Sequence, residues 1–140
     1  MSQLLDFLSD LVEKFRRDTG IDAHFLCEVE TVTLQPNVCR EMARIVQEAL
    51  FNVRRHSGAQ NVIVNLSSQN GQWKLTIDDD GRGFPFVGRF SQAELDEARR
   101  GPVVIKERVR SIGGELTVDS IPGRGARLEI TIPEGTMSDM

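Results

Sequence analysis

Two pairs of short alternating segments constrain the fold of this chain more than any other feature of its sequence. Residues 61–68 and 72–78 form the first pair, joined by the polar link Ser-Gln-Asn-Gly-Gln. Residues 115–120 and 126–133 form the second pair, joined by a turn of sequence Ile-Pro-Gly-Arg-Gly. Alternating apolar and polar residues favour strands with one buried face, and short glycine-containing links favour antiparallel hairpins. The sequence therefore predicts a sheet with an apolar face that other elements must cover.

The remaining segments supply that cover, because several of them have apolar residues at helical spacing. Pro36 suits the first turn of the longest of these helices, and Gly20 is a suitable cap at the end of the first. The predicted helices are residues 4–18, 36–56, 92–99 and 102–112, and one further strand is predicted at residues 22–30. Apart from its short helix, which Ser91 would cap, the stretch 85–100 is expected to be a loop, and residues 134–140 a loose tail.

The whole chain, residues 1–140, is expected to form a single α+β domain. Its length allows one hydrophobic core, and the order of segments favours a two-layer α/β sandwich with helices on one face of a mixed, mostly antiparallel sheet.

Charge and cysteine usage exclude several broad classes of function. The formal net charge is −4 without a long basic run, which argues against a nucleic-acid partner and against direct contact with an anionic membrane. No apolar run approaches the roughly 20 residues that a membrane-spanning helix needs. Cys27 and Cys39 are far from any Cys-x-x-Cys pattern, so neither a disulfide framework nor a zinc site is predicted, and a cytoplasmic location is expected.

A polar edge on the long helix is the first candidate functional feature. Glu48, Asn52 and Arg55 are three and four residues apart, so they lie along one side of the helix beside its apolar stripe. A carboxylate, a carboxamide and a cation in this order suit a nucleotide with a bound Mg²⁺ ion. An ordinary solvated helix face is the alternative, and the helix considered alone favours it.

The stretch Asp78-Asp79-Asp80-Gly81-Arg82-Gly83 is the second candidate, because it directly follows a predicted strand. Three acids could gather a cation, but they lack the spread of ligands that a calcium loop needs. The two glycines instead indicate backbone at positive φ or close approach of a flat ligand, with a plain glycine turn as the simpler alternative. The later Gly123-Arg124-Gly125 is interpreted as a hairpin turn, since no helix follows it.

The order of these motifs resembles a known family. "VQEALFNVRRHSGA", two strands, "DDGRGF" and then "KERVRSIGGELTVDSIPGRGARLEITIP" are similar to the ATP-binding catalytic domain of two-component sensor histidine kinases, in the nitrate-response-like branch. The resemblance covers about residues 15–133. It implies the Bergerat fold of the GHKL ATPase superfamily, ATP as the nucleotide and Mg²⁺ as its cation.

At the phosphate end, the resemblance implies roles for several residues of the long helix. Asn52 matches the asparagine that holds Mg²⁺ against the phosphates, and Glu48 matches the catalytic acid one turn earlier. Arg55 and His56 occupy the basic positions near the phosphates, and Gly101 matches a glycine of the phosphate loop.

At the adenine end, the resemblance implies a base-reading role for Asp79. This residue matches the aspartate that accepts a hydrogen bond from the adenine amino group, while Gly81 and Gly83 match the glycines that let adenine approach. Asp78 and Asp80 are then expected to face solvent or to have structural roles.

The phosphate loop departs from the family pattern. The family pattern is Gly-Leu-x-Gly-Met where this chain has Gly101-Pro102-Val103-Val104-Ile105. Pro102 removes a backbone N–H, and Val104 replaces the second glycine. Ala126 stands where the family usually has threonine. Two alternatives therefore stay open: a non-catalytic nucleotide- or partner-binding module of the same fold, and an anti-sigma-factor-type serine kinase.

The resemblance also implies partners outside this chain. Kinases of this family phosphorylate a histidine on a helical hairpin, whereas His24 lies in a predicted strand and His56 closes the nucleotide helix. Residues 1–20 are therefore interpreted as a linker helix from a hairpin elsewhere in a longer kinase, with a response regulator as an indirect partner. Autophosphorylation is not expected from this chain alone.

Overall fold

The computed structural model describes residues 3–29, 32–121 and 123–133, except for the side chains of His56 and Ser57. The predicted tail at residues 134–140 lies outside the described residues. The helices are α1 (Gln3–Thr19), α2 (Pro36–Asn52), α3 (Gln92–Ala98) and α4 (Val103–Ser111). The strands are β1 (Asp22–Cys27), β2 (Asn61–Gln69), β3 (Gln72–Asp79), β4 (Gly88–Ser91), β5 (Glu115–Ile121) and β6 (Gly125–Pro133).

The strands form one mixed sheet in the order β1-β2-β3-β6-β5-β4. Both predicted hairpins, β2–β3 and β5–β6, are present and antiparallel, and β1 adds to β2 in parallel. A parallel edge strand is possible here because α2 carries the chain back across the sheet between β1 and β2. The α+β class and the mixed, mostly antiparallel sheet are confirmed.

Strand β4 corrects the prediction of a plain loop before α3. Its four residues pair antiparallel with residues 117–120 of β5 and so form the second edge of the sheet. Glycine at its first position and its short length leave no alternating pattern, so only the neighbouring strand identifies it. The predicted α3 and its Ser91 cap are confirmed, with a complete capping box between Ser91 and Glu94.

One face of the sheet is buried under the helices. Alternate residues of the central strands, among them Val64, Leu75 and Ile130, are completely buried, while α1 contacts β1 and α2, and α4 contacts α2 and β5. The opposite face is polar, with an ion pair between the neighbouring strands β6 and β3 at Arg127–Asp78 (2.7 Å) and another from β4 across β5 to β6 at Arg89–Glu129 (3.5 Å). The predicted two layers, with helices on one face, follow from this alternation.

The long predicted helix changes character at its C-terminal end. Pro36 occupies its first turn as expected, and α-helical geometry continues to Asn52. Residues Val53–Ser57 then form a π-helical turn that ends at Gly58, whose φ is +66°. Such wide turns often occur at functional sites, and this one directly follows Asn52.

None of the helices within the described part of the chain is long and apolar enough to cross a lipid bilayer.

Candidate functional site

A cavity of about 770 Å³ lies where α2 and β3 end. Four of the predicted site residues line it, namely Asn52, Asp79, Gly83 and Gly101, together with Pro102 and Ala126, where the sequence departs from the family pattern. Its wall also includes residues that the sequence did not single out as site residues, chiefly Phe84, Phe86, Arg99, Arg100 and Leu128. A cavity of this size suits a small ligand such as a nucleotide.

Asp79 is the acidic side chain of this cavity, and it is half-buried at the last position of β3. Burial raises the pKa of its carboxyl group, a hydrogen bond from the Gly81 N–H to Oδ1 (2.8 Å) opposes that rise, and the charges of Asp80 and Asp78 add to it. No partner of Oδ2 is present in the described part of the chain. A partly desolvated carboxylate with an oxygen available is suited to accept a hydrogen bond from a ligand.

Asp80 has a structural task instead. Its Oδ1 accepts hydrogen bonds from the Gln60 and Asn61 N–H groups (both 2.9 Å), and its Oδ2 accepts one from Asn61 Nδ2 (2.8 Å). The Asn61 side chain and backbone thereby lower the pKa of Asp80. These bonds tie the turn after β3 to the start of β2. Asp78 lies on the polar face of the sheet, where it forms an ion pair with Arg127. Asp78 and Asp80 therefore have the structural roles expected of them.

The two glycines of this turn contribute in different ways. Gly81 is buried and supplies the N–H that Asp79 accepts. Gly83 has a φ of +80°, and a Cβ there would lie 2.9 Å from Ser120 Oγ and 3.0 Å from the Gly125 carbonyl oxygen. Glycine is therefore required at position 83 by close packing against the β5–β6 hairpin, as well as by the left-handed backbone.

Ser120 is a supporting residue that the sequence analysis missed. Its side chain is completely buried, and its Oγ accepts a hydrogen bond from the Phe84 N–H (2.8 Å) and donates one to the Phe84 carbonyl oxygen (3.4 Å). The alternation of β5 could have identified Ser120, because Leu116 and Val118 point inward and Ser120 occupies the next inward position. Polar residues at inward positions need partners, which is why this one holds the adjacent loop.

Three aromatic rings extend from the cavity towards β4. Phe84 and Phe86 are stacked, with ring centroids 5.3 Å apart and an interplanar angle of 11°, and Phe90 meets Phe86 edge-on. Since Phe84 and Phe86 line the cavity, they give it a flat apolar wall.

The predicted residues at the end of α2 are divided between the cavity and its surroundings. Asn52 lines the cavity, whereas half-buried Glu48 and exposed Arg55 are not among its lining residues. The Arg55 guanidinium lies 5.2 Å from the centroid of the Phe51 ring. The predicted His56 side chain lies outside the described part of the structure. The roles of Glu48, Arg55 and His56 at the phosphate end stay predictions.

The described residues contain no cluster of three or more His, Cys, Asp or Glu side chains that could hold a metal ion. Asn52, whose side chain carries an amide oxygen, lines the cavity. Mg²⁺ commonly binds through one or two protein oxygens together with substrate phosphates, so this donor set fits a cation that arrives with a nucleotide.

The far rim of the cavity, residues 99–102, connects α3 to α4. Gly101 has a φ of +91°, and a Cβ there would lie 3.2 Å from Leu95 Cδ1. Lys106 is buried, and its Nζ donates to the Arg100 carbonyl oxygen (2.8 Å) and pairs with Asp96 Oδ1 (2.9 Å). The rim is therefore fixed to both neighbouring helices.

Comparison with known proteins agrees with this architecture. Residues 37–136 match the family model described as histidine kinase-, DNA gyrase B-, and HSP90-like ATPase. The sensor histidine kinase LiaS of Bacillus subtilis is 34% identical over 93% of this chain and 34% of its own length. The histidine-protein kinase/phosphatase DegS of Brevibacillus brevis is 33% identical over 93% of this chain and 32% of its own. This chain thus spans about a third of these relatives.

A solved structure gives the same fold. The histidine kinase domain of a blue-light activated kinase from Erythrobacter litoralis superposes with a TM-score of 0.74 at 24% identity, over 93% of this chain and 60% of the other. The fold, the matched residues and the cavity around Asp79 lead to one conclusion: this chain belongs to the histidine kinase-, DNA gyrase B- and HSP90-like ATPase family, as an ATP-binding domain of the histidine kinase type.

Proposed function

We propose that this chain binds Mg-ATP as the catalytic domain of a sensor histidine kinase and supplies the γ-phosphate to a histidine on a helical hairpin of the same full-length kinase. The observation that supports this most strongly is Asp79, a partly buried carboxylate with an oxygen available, at the end of a cavity walled by Phe84 and Phe86. A response regulator would receive the phosphate afterwards, and the domain would act in the cytoplasm.

The adenine end of the site is proposed to lie against the turn after β3. The base would lie beside the apolar wall with its amino group donating to Asp79, while Gly81 holds the other carboxylate oxygen. A base without that amino group would leave Asp79 unpaired, and an unpaired buried acceptor costs about 1–3 kcal/mol. This cost would select adenine over guanine.

The phosphate end is proposed to lie towards Asn52, whose amide oxygen would contribute to holding Mg²⁺. When bound, Mg²⁺ neutralises charge on the phosphate oxygens. Glu48, one turn before Asn52, is proposed to act on the reacting group. Because the chain itself does little covalent chemistry in phosphoryl transfer, its contribution is to position the nucleotide.

A non-catalytic nucleotide-binding module is the second candidate, and the start of α4 favours it. Pro102 occupies the N-cap position without an N–H, and Val104 stands where the family pattern has glycine. Fewer backbone donors would then face the phosphates. An anti-sigma-factor-type serine kinase is the remaining alternative, but no feature of the cavity favours it over the histidine kinase type.

Calorimetric titration of the 140-residue chain with ATP and ADP, with and without Mg²⁺, tests the proposal. Tighter ATP binding in the presence of Mg²⁺ is expected, and Asp79→Asn should weaken it about tenfold or more because the new amide presents N–H groups to the adenine amino group. Asp78→Asn, on the opposite sheet face, is the matched control. ADP binding that is indifferent to Mg²⁺ would favour the non-catalytic module, and unchanged ATP affinity in Asp79→Asn would remove Asp79 from its role.

A further inference from the structure

The aromatic wall of the cavity, Phe84 and Phe86, is backed by a ring that does not line the cavity. Phe90 meets Phe86 edge-on, with ring centroids 5.3 Å apart and an interplanar angle of 90°. Phe86 in turn stacks on Phe84, and both of these rings line the cavity. Phe90 can therefore influence a ligand in the cavity through Phe86 without touching that ligand.

Phe86 depends on the packing of its side chain more than Phe84 does. It lies between β3 and β4, and no hydrogen bond of its backbone is present in the described part of the chain. The backbone of Phe84, by contrast, is held by the Ser120 hydroxyl. The Phe86 side chain is only 7% exposed, and the rings of Phe84 and Phe90 pack against it. Removal of Phe90 would leave Phe86 without its edge-on partner.

Strand β4 fixes Phe90 on several sides. Phe90 pairs with Val118 of β5, and both side chains lie on the same face of the sheet. On the opposite face, the neighbouring Arg89 forms an ion pair across β5 with Glu129 of β6. Ser91, the last residue of β4, is also the N-cap of α3 and completes its capping box. The position of the Phe90 ring is therefore set by the fold and does not require a ligand.

We infer that Phe90 is a positioning residue of the nucleotide site, which holds Phe86 and, through it, Phe84 in the orientation against which adenine packs. The inference rests on the proposed function, because it requires the base to lie beside this aromatic wall. A wall that is formed before the ligand arrives needs no ordering on binding, which favours affinity. When Phe86 is released, only the fraction of molecules with a formed wall can bind, and the apparent affinity falls by that fraction.

Titrations of the 140-residue chain with adenosine and with ATP in excess Mg²⁺ test the inference. Phe90→Ala should weaken the binding of both ligands by the same factor, about three- to tenfold, because the base is common to both. Phe90→Tyr keeps the ring and should bind both ligands as the unaltered chain does. Phe25→Ala is the matched control, because it removes a half-buried ring from β1, the strand at the opposite edge of the sheet. This control should lower the unfolding free energy without changing either affinity.

Urea unfolding of each variant measures its loss of stability, which separates an effect on the wall from a general one. Unchanged adenosine affinity in Phe90→Ala would overturn the inference, and so would an equal loss of affinity in Phe25→Ala or in Phe90→Tyr. Should Phe90→Ala not fold, Phe90→Leu, which keeps an apolar side chain without the ring, takes its place in the same comparison.

Asp79→Asn separates this inference from the proposed function. Weaker binding in Asp79→Asn together with unchanged binding in Phe90→Ala would remove Phe90 from its role and leave the proposed function standing. An unaltered chain that binds neither adenosine nor ATP would overturn both.

Discussion

Asp79 and Asp80 are consecutive residues whose carboxyl groups are perturbed in opposite directions. Burial at the cavity raises the pKa of Asp79, whereas hydrogen bonds from the side chain and backbone of Asn61 lower the pKa of Asp80. The β-strand geometry that ends here directs one carboxylate into the cavity and the other towards the start of β2. One of the two is therefore available for a ligand, and its neighbour anchors the turn.

The raised pKa of Asp79 predicts a loss of stability with rising pH. The folded chain binds the proton of the Asp79 carboxyl group more tightly than the unfolded chain does. Protonation of Asp79 therefore stabilises the folded state fully below the ordinary aspartate pKa of about 3.9, and this stabilisation is lost as the pH rises through the raised pKa. The difference in unfolding free energy between the unaltered chain and Asp79→Asn, measured in urea across this range, should fall with pH. A difference that rises with pH would contradict the prediction.

The lowered pKa of Asp80 predicts the opposite dependence. The ionised Asp80 carboxylate contributes fully to the unfolding free energy above the ordinary aspartate pKa, and this contribution is lost as the pH falls through the lowered pKa. Asp80→Asn should cost about 1 kcal/mol or less at neutral pH, since solvent screens this exposed carboxylate, and the two proteins should converge in acid. Urea unfolding at neutral and acidic pH measures the difference in unfolding free energy between the two proteins. An equal difference at both pH values would mean that Asp80→Asn acts by disturbing the hydrogen bonds of the turn and not by removing the charge.

Gly125 should tolerate substitution far less well than Gly123, although both lie in the β5–β6 turn region. Gly125 has a φ of +130°, and a Cβ there would overlap the Asp79 carbonyl oxygen, whereas Gly123 has a φ of +86° with open space around it. Gly123→Ala should cost about 1–2 kcal/mol from backbone strain alone, and Gly125→Ala clearly more. Thermal unfolding compares them, and equal melting temperatures would show that the chain relaxes around Gly125.

Ser120→Ala should leave the Phe84 N–H without its partner in a part-buried position. A loss of about 1–3 kcal/mol in unfolding free energy is expected, with weaker ATP binding because Phe84 and Gly83 lose their support. Ser111→Ala is the control, since the Ser111 hydroxyl donates to the Arg108 carbonyl oxygen at an exposed helix end. Denaturant unfolding and ATP titration of both variants measure the effect; a similar small loss in both would exclude the supporting role of Ser120.

Sequence patterns were sufficient where a contact is local. Alternation predicted both hairpins, helical spacing predicted α1, α2 and α4, and the Ser91 cap indicated α3, because these patterns arise within one segment. They failed at β4, which depends on β5 for its pairing, and at Arg99 and Arg100, whose position beside the cavity depends on the packing of α3 against α4. The motif order also indicated Asn52, Asp79, Gly83 and Gly101 as site residues, and the structure brings all four to one cavity.

By itself, the sequence determined the α+β class, the apolar face of the sheet and the acidic glycine turn after β3, because each of these depends on residues that are close together along the chain. The tertiary structure decided which of three consecutive aspartates reaches the cavity and why position 125 must be glycine. These properties depend on burial and on distances between segments far apart in sequence. Such quantities exist only after the helices and the sheet have packed together.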